Sequence, residues 1–304
     1  MKKVLITILS VIGIIIVAGG GYAYYLYHSA KETADKMHES VNLGKSHTTP
    51  KLNSKNAPPI SILLLGVDQR KNDVGRSDTI IFITLNPKTE KMQMVSIPRD
   101  TRTEIAGRGT MNKINAAYAY GGTKMAIQTV ENFTNVPVNY YIRVNMQALS
   151  ALVDAVGGIT VNNKLDWYDE GYYKKGYHYH KGELHLNGKQ ALGYVRMRHL
   201  DPNGDFGRNQ RQRQVIEAII KKAASIKSVT RFNEIFNALG DNVKTNLTFD
   251  DMMKIQSNYR GASKNVEQYE VQGTSEKING IYYLSVPDSE RSKVTNMLKS
   301  NLQK

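Results

Sequence analysis

The chain has 304 residues, enough for a sizeable core and one or two domains. Its 41 Lys and Arg residues against 27 Asp and Glu residues give a net charge of +14. That surplus favours an anionic partner: nucleic acid, anionic lipid headgroups, an anionic polymer or a phosphate-bearing substrate. The absence of cysteine excludes disulfides and thiolate metal sites.

An uncharged, mostly apolar segment follows Lys2 and Lys3 and extends from Val4 to Tyr27. It is long enough to cross a bilayer as a helix, and the tyrosines near its end are typical of an interfacial aromatic belt. A cleaved signal peptide is the alternative, but the segment lacks a good small-x-small cleavage site. We predict a cytoplasmic N-terminus over residues 1–3, a transmembrane anchor over 4–27, and the rest of the chain outside the cell, anchored to the cell membrane.

Residues 28–59 are polar and lack a convincing apolar stripe, which predicts an extracellular stalk before a folded domain over 60–304. Within that domain the predicted strands are Ile60–Gly66, Thr79–Leu85, Met92–Ile97, Val138–Val144 and Ile159–Val161. The predicted helices are Lys124–Phe133, Met146–Val156, Arg208–Ile226, Phe249–Tyr259 and Asp288–Leu302. Because strands and helices alternate, we predict one α/β domain with a mixed central sheet covered by helices.

Residues 166–187 combine tyrosines, the only tryptophan and three histidines with several glycines. A β-hairpin with aromatic cross-strand pairs is the favoured interpretation. A sugar-stacking or metal-binding loop is the alternative. His178 and His180 would share one strand face, but no nearby residue completes a convincing metal site.

Arginines cluster near the middle of the chain. We predict a strand over Tyr194–His199, which would place Arg196 and Arg198 on one face. Arg208 and Gln212 lie one turn apart on the following helix. The intervening turn would bring three guanidiniums and a helix N-terminus together, an arrangement suited to phosphate or pyrophosphate.

A second polar cluster follows the first three strands. Asp68 comes directly after strand one, Asp78 opens strand two, and Arg99 follows strand three. Ligands of open α/β sheets gather at strand ends, where Asp68 and Asp78 could bind Mg²⁺ together with substrate phosphates, and Arg76 and Arg99 could bind those phosphates. Singly, each residue is better explained as a surface salt bridge or a turn; together they indicate a site.

With these motifs the chain resembles the LytR–CpsA–Psr family of cell-wall glycopolymer ligases. The matching stretches are Gly66–Asp68, Gly75–Thr79, Ser96–Asp100, Lys113–Tyr118, Asp154–Ile159, Tyr194–Arg198 and Gly204–Gln212. The resemblance extends from about Ile60 to about Ile226. It implies an α/β/α sandwich with an apolar pocket for a polyprenyl chain.

The resemblance also implies a reaction: transfer of a glycopolymer, wall teichoic acid or capsular polysaccharide, from an undecaprenyl-pyrophosphate carrier to peptidoglycan as a phosphodiester. It implies a metal site and a pyrophosphate site. Asp68 and Asp78 would hold Mg²⁺, with Mn²⁺ as the alternative ion. The pyrophosphate would be held by Arg76, Arg99, Arg196, Arg198, Arg208 and Gln212. Arg99 is then also a candidate catalytic residue, and Asp100, Asp201 and Asp205 are alternative general bases.

Three other functions are compatible with the same composition. A metal-dependent polyprenyl-pyrophosphate pyrophosphatase would use the same site with water as acceptor. A membrane-anchored wall-binding protein would bind anionic polymers without turnover. A nucleic-acid-binding regulator would explain the positive charge, but the sequence has no helix-turn-helix, zinc-finger or RNP pattern, so we expect no nucleic acid partner.

Overall fold

The computed structural model describes residues 21–22, 24–44, 49–52, 57–68, 75–225 and 229–303. Most of the predicted anchor, residues 4–27, lies outside these ranges. Among the described residues, none of the helices combines the length and the hydropathy needed to cross a membrane.

The secondary-structure elements are numbered in chain order. The strands are β1 Ile60–Val67, β2 Ser77–Asn86, β3 Lys91–Ser96, β4 Arg102–Ile105, β5 Thr110–Lys113, β6 Tyr140–Val144, β7 Ile159–Asn163, β8 Trp167–Tyr168, β9 His178–Tyr179, β10 Gly182–Leu186, β11 Val243–Thr245, β12 Asn265–Glu270, β13 Thr274–Ile278 and β14 Ile281–Ser285. The helices are α1 24–37, α2 Ala116–Thr134, α3 Met146–Ala155, α4 Gly188–Arg196, α5 Gly204–Ser225, α6 Val229–Leu239, α7 Phe249–Asn258 and α8 Asp288–Asn301.

A six-stranded sheet in the order β11-β6-β1-β2-β3-β12 forms the centre of the described domain. Strand β1 pairs in parallel with β6 and β3 in parallel with β12, and the other neighbours are antiparallel. The predicted mixed sheet is therefore confirmed. Apart from the strand predicted over Tyr194–His199, the predicted strands and helices are present with shifted ends, whereas α1, α4, α6, β4, β5 and the strands after β10 were not predicted.

Both faces of the sheet are covered by helices. Leu63 and Leu65 of β1 face a core formed with α2 and α8. Leu64 faces the opposite core, where Ile216 of α5 and Met252 of α7 pack. Since side chains alternate along a strand, a continuous apolar run such as β1 requires burial on both faces. This arrangement is the predicted α/β/α sandwich.

The polar stalk predicted over residues 28–59 is wrong at its beginning. Residues 24–37 form α1, whose Leu26, Ala30, Ala34 and Met37 are buried against α3, α6 and α7. The spacing of four, four and three residues places these side chains on one helical face. Two of the four are alanines, so the stripe is too weakly apolar to stand out in a hydropathy pattern.

The aromatic hairpin predicted within residues 166–187 is confirmed. Strands β8 and β9 pair antiparallel, with Trp167 opposite Tyr179 and Tyr168 opposite His178. The rings of Trp167 and Tyr179 stack at 4.9 Å and are buried, and those of Tyr168 and His178 stack at 4.6 Å on the outer face. Burying two large aromatic rings on one face stabilises a hairpin that would be marginal alone.

Candidate active site

A β-bulge places Asp78 at the carboxyl end of β1. Gly66 pairs with Thr79, but Val67 pairs with Ser77, so Asp78 is the extra residue on β2. A bulge re-aims a side chain out of the regular alternation of a strand. Asp68 follows Val67 directly, so the two predicted metal ligands lie at the same end of this strand pair.

Arg99 connects the strand ends with helix α5. Its Nη1 lies 3.2 Å from Oδ1 of Asp78, and its Nε lies 3.4 Å from Oδ2 of Asp205 in the first turn of α5. The amide of Asn115 also donates to Oδ1 of Asp78 at 3.2 Å. The two clusters predicted separately from sequence therefore form one site.

Asp205 is surrounded by arginines. Besides Arg99, it contacts Arg198, with Nε and Oδ1 2.7 Å apart, and Arg208, with Nη2 and Oδ1 3.4 Å apart. Three guanidiniums thus converge on one carboxylate at the N-terminus of α5, where the helix dipole adds positive charge. Asp205 alone does not neutralise these three guanidiniums, and Asp78 and Asp100 supply further negative charge to Arg99.

Several guanidinium N–H groups at this position are unsatisfied. Nε of Arg99 and both Nε and Nη2 of Arg208 are buried and have no hydrogen-bond partner among the described residues. Burial lowers the pKa of Arg208, and Asp205 only partly opposes this effect. Burial also acts against the charge of Arg99, but Asp78, Asp205 and Asp100 outweigh it, so the pKa of Arg99 is raised. Buried donors without partners are costly, and an anion with several oxygens would satisfy them.

The predicted strand over Tyr194–His199 is wrong, because Tyr194 to Arg196 end helix α4. Asn187 and Gln190 form a capping box that starts this helix, and Tyr194 and Val195 are buried on its inner face. An aromatic residue beside a β-branched one, here Tyr194 and Val195, has a local preference for a strand. The helix forms instead because it buries both side chains in the core. Arg196 and Arg198 therefore lie at a helix end and in a loop.

Asp201, one of the three candidate bases, is 7% exposed and pairs with the buried guanidinium of Arg211. That guanidinium also donates to the carbonyl oxygens of Tyr194, at 3.1 Å, and Met197. The backbone N–H of Asn203 donates to the other carboxylate oxygen of Asp201 at 2.8 Å. This pair holds the loop between α4 and α5, and sequence analysis missed the role of Arg211.

Asp100, another candidate base, lies beside the cluster. Its Oδ2 is 3.7 Å from Nε of Arg99, and its Oδ1 is 2.6 Å from Nζ of Lys113. Lys113 was not predicted as a site residue, although Lys113–Tyr118 was among the matching stretches. The backbone of Asp100 accepts a hydrogen bond from Leu284 of β14, an element that no sequence motif revealed.

The remaining predicted residues lie at the edges of this cluster. Arg76 is exposed just before β2. Gln212 lines a narrow, mainly apolar cavity of about 40 Å³ between the sheet and helices α3, α4 and α5. Its other lining residues are Leu64, Gly66, Thr79, Val144, Asn145, Met146, Leu149, Val195, Val215 and Ile216. The cavity reaches Gly66 and Thr79, at the same strand end as Asp68 and Asp78.

The oxygen atoms near Asp78 fit a magnesium ion whose remaining ligands come from the phosphate groups of a substrate. The described residues contain no group of three or more His, Cys, Asp or Glu side chains that could hold a metal unaided. Mg²⁺, however, commonly binds through one or two carboxylates together with phosphate oxygens. Asn115 adds a buried Oδ1 that has no hydrogen-bond partner among the described residues.

The fold is that of an α/β/α protein with a cluster of arginines and aspartates at one end of its sheet, and residues 24–300 match the family model described as LytR_cpsA_psr. The chain belongs to the LytR–CpsA–Psr family. It is 52% identical over 305 aligned positions to the polyisoprenyl-teichoic acid–peptidoglycan teichoic acid transferase TagU of Bacillus subtilis (strain 168), covering 100% of this chain and 97% of TagU.

Two solved structures resemble the described fold. The crystal structure of B. subtilis TagU is 50% identical with a TM-score of 0.66, and the match covers 81% of this chain and 98% of that one. A structure of TagT bound to LIIa-WTA is 31% identical with a TM-score of 0.75, and the match covers 87% of this chain and 99% of that one.

Proposed function

We propose that this protein transfers a teichoic acid from a polyprenyl-pyrophosphate carrier to a peptidoglycan hydroxyl. The observation that carries the proposal is the convergence of Arg99, Arg198 and Arg208 at one strand end, with buried N–H groups of Arg99 and Arg208 that have no hydrogen-bond partner among the described residues. The name of the TagU relative, a teichoic acid transferase, supports teichoic acid rather than capsular polysaccharide as the polymer.

The arginines bind the donor pyrophosphate. In the absence of substrate, Asp205 serves as their shared counter-ion. A pyrophosphate has more charge and more acceptor oxygens than one carboxylate, and guanidiniums bind phosphate oxygens in pairs. Arg76, Arg196 and Gln212 complete the binding set at the edges of the cluster.

The reaction is a substitution at the phosphorus that carries the glycopolymer. The acceptor hydroxyl oxygen forms a bond to this phosphorus, the bond to the bridging oxygen breaks, and polyprenyl phosphate leaves with that oxygen. Asp100 or Asp205 accepts the hydroxyl proton. Arg99 and Arg208 stabilise the charge that develops on the phosphoryl oxygens. Asp68 and Asp78 would hold Mg²⁺, which when bound neutralises part of the phosphate charge.

The apolar cavity beside Gln212 is the proposed entry point of the polyprenyl chain. It has room for only a few water-sized groups, so its lining side chains must move apart when the chain binds. Ile216→Trp would fill this cavity and remove contacts with the chain, each buried CH₂ being worth ~0.8 kcal/mol. We expect transfer from a long-chain donor to fall roughly tenfold, and transfer from a short-chain isoprenoid donor to change little. Thermal unfolding of the variant checks that the fold is retained. Equal losses with both donors would contradict this assignment of the cavity.

The N-terminal segment would place the site next to its lipid substrate. We propose that the apolar segment within residues 4–27 anchors the protein in the cell membrane with the catalytic domain outside, as charge and hydropathy predict, and that the anchor ends before Leu26, which is buried in the domain. The packing of α1 against the core supports a short connection between anchor and domain, because Tyr27 contacts Phe249 of α7 at 5.2 Å between ring centroids.

Transfer is tested with the full chain, a polyprenyl-pyrophosphate-linked saccharide and uncross-linked peptidoglycan strands, with and without Mg²⁺. We expect saccharide to become attached to the glycan only when Mg²⁺ is present. Release of polyprenyl phosphate without attachment to glycan would favour the pyrophosphatase. Salt-sensitive polymer binding without any turnover would favour the wall-binding protein.

A further inference from the structure

The turn of the aromatic hairpin is built around one buried carboxylate. Asp169 is 3% exposed, and its Oδ1 accepts hydrogen bonds from the backbone N–H groups of Gly171, at 3.2 Å, and Tyr172, at 3.0 Å. Its Oδ2 accepts from those of Tyr173, at 2.6 Å, and Lys174, at 2.7 Å. Four backbone donors on one carboxylate hold residues 169–177, here called the Asp169 loop, in a defined conformation.

The Asp169 loop is also packed tightly on helix α4. Tyr179 donates from its hydroxyl to the carbonyl of Gln190 at 2.8 Å, and the amide of Gln190 donates to the hydroxyl of Tyr177 at 3.0 Å. A Cβ atom at Gly193 would lie 2.8 Å from Cβ of Tyr173, closer than such atoms approach, so glycine is required for this contact. Loop and helix therefore form one unit, and the last residue of that helix is Arg196.

The loop presents an aromatic ring beside this arginine. The guanidinium carbon of Arg196 lies 5.9 Å from the ring centroid of Tyr172, which is partly exposed. Lys174 and Lys175 are exposed two and three residues further along the loop. A rigid loop with an accessible aromatic ring and two cations, next to an arginine assigned to the pyrophosphate, is suited to ligand binding.

We propose that the Asp169 loop is a carbohydrate subsite, in which Tyr172 packs against the sugar attached to the donor pyrophosphate. This inference rests on the proposed function. The first sugar is joined to the pyrophosphate through a single oxygen, so it must lie next to an arginine that binds the phosphate. The ring of Tyr172 offers an apolar face to the C–H groups of that sugar, and Lys174 and Lys175 face phosphates further along the polymer.

The test compares two probes on the full chain: a polyprenyl-pyrophosphate-linked disaccharide and sugar-free polyprenyl pyrophosphate. We expect Tyr172→Leu to weaken binding of the disaccharide-bearing probe about tenfold, the upper range for an aromatic contact. Binding of the sugar-free probe is expected to stay unchanged. Equal weakening for both probes would mean that Tyr172 only positions Arg196, and would overturn the inference, as would no weakening of either.

Tyr168→Leu is the matched control on the same hairpin. Tyr168 is 61% exposed and stacks on His178 on the outer face of the hairpin. We expect this variant to bind both probes like the unmodified protein, and an equal loss there would show general hairpin damage and overturn the subsite. If the unmodified protein binds neither probe, the proposed function itself fails. If it binds both equally and Tyr172→Leu changes neither, only the subsite fails.

Discussion

Replacement of Arg208 by alanine is expected to lower the rate of polymer transfer by a factor on the order of 100 to 1,000, the usual cost of removing one donor that stabilises developing charge. Arg208 has two buried N–H positions without hydrogen-bond partners among the described residues. Burial acts against its charge and lowers its pKa, so we do not expect loss of that charge to destabilise the fold. Asp205 keeps its contacts with Arg99 and Arg198 in this variant, so no carboxylate is left without a cation.

The measurement is the transfer assay, accompanied by thermal unfolding of the same preparations. Alanine at Arg99 or Arg196 is expected to abolish transfer as well while the fold is retained. Arg108→Ala is the matched control, since Arg108 is exposed and lies 4.3 Å above the ring of Tyr120 in the turn between β4 and β5. Transfer near the unmodified rate in Arg208→Ala would refute the assignment of this arginine.

Asp201 and Asp205 are expected to give opposite results, although they are only four residues apart. Asp201→Ala leaves the buried guanidinium of Arg211 without its counter-ion, and should lower the free energy of unfolding by about 3–5 kcal/mol. Asp205→Asn keeps the shape of the side chain and leaves Arg99 paired with Asp78 and Asp100, so it should lower that free energy less than Asp201→Ala does, by about 1–2 kcal/mol. We expect Asp205→Asn to reduce transfer with the fold intact.

Denaturant unfolding of both variants, followed by the transfer assay, separates the two roles. Asp100→Asn in the same assays decides between the two remaining bases: the variant with the larger loss of transfer marks the proton acceptor. Should Asp201→Ala unfold like the unmodified protein and yet lose transfer, Asp201 would be a catalytic residue rather than the partner of Arg211.

The sheet could be predicted because its central strands are recognisable from their own apolar residues. Strands β1 and β2 are continuous apolar runs, and burial on both faces is the simplest way to remove such runs from water. Helix α1 gave no such signal, since its buried face consists largely of alanines. Hairpin β13–β14 borders Asp100 through Leu284, but it lies far along the chain, and β13 has only one apolar residue to mark it as a strand.

The α/β class with a mixed sheet, the aromatic hairpin and the grouping of arginines and aspartates at loops and strand ends could all be read from the chain, because they follow from local periodicity and turn residues. Only the tertiary structure decided which charges face the ligand. Arg208 and Arg211 lie three residues apart on α5, yet one keeps unsatisfied donors and the other binds Asp201 and the carbonyls of the preceding loop. Helical spacing defines relative positions on a helix, but the neighbours of each face come from distant segments such as β3, which brings Arg99 to Asp205.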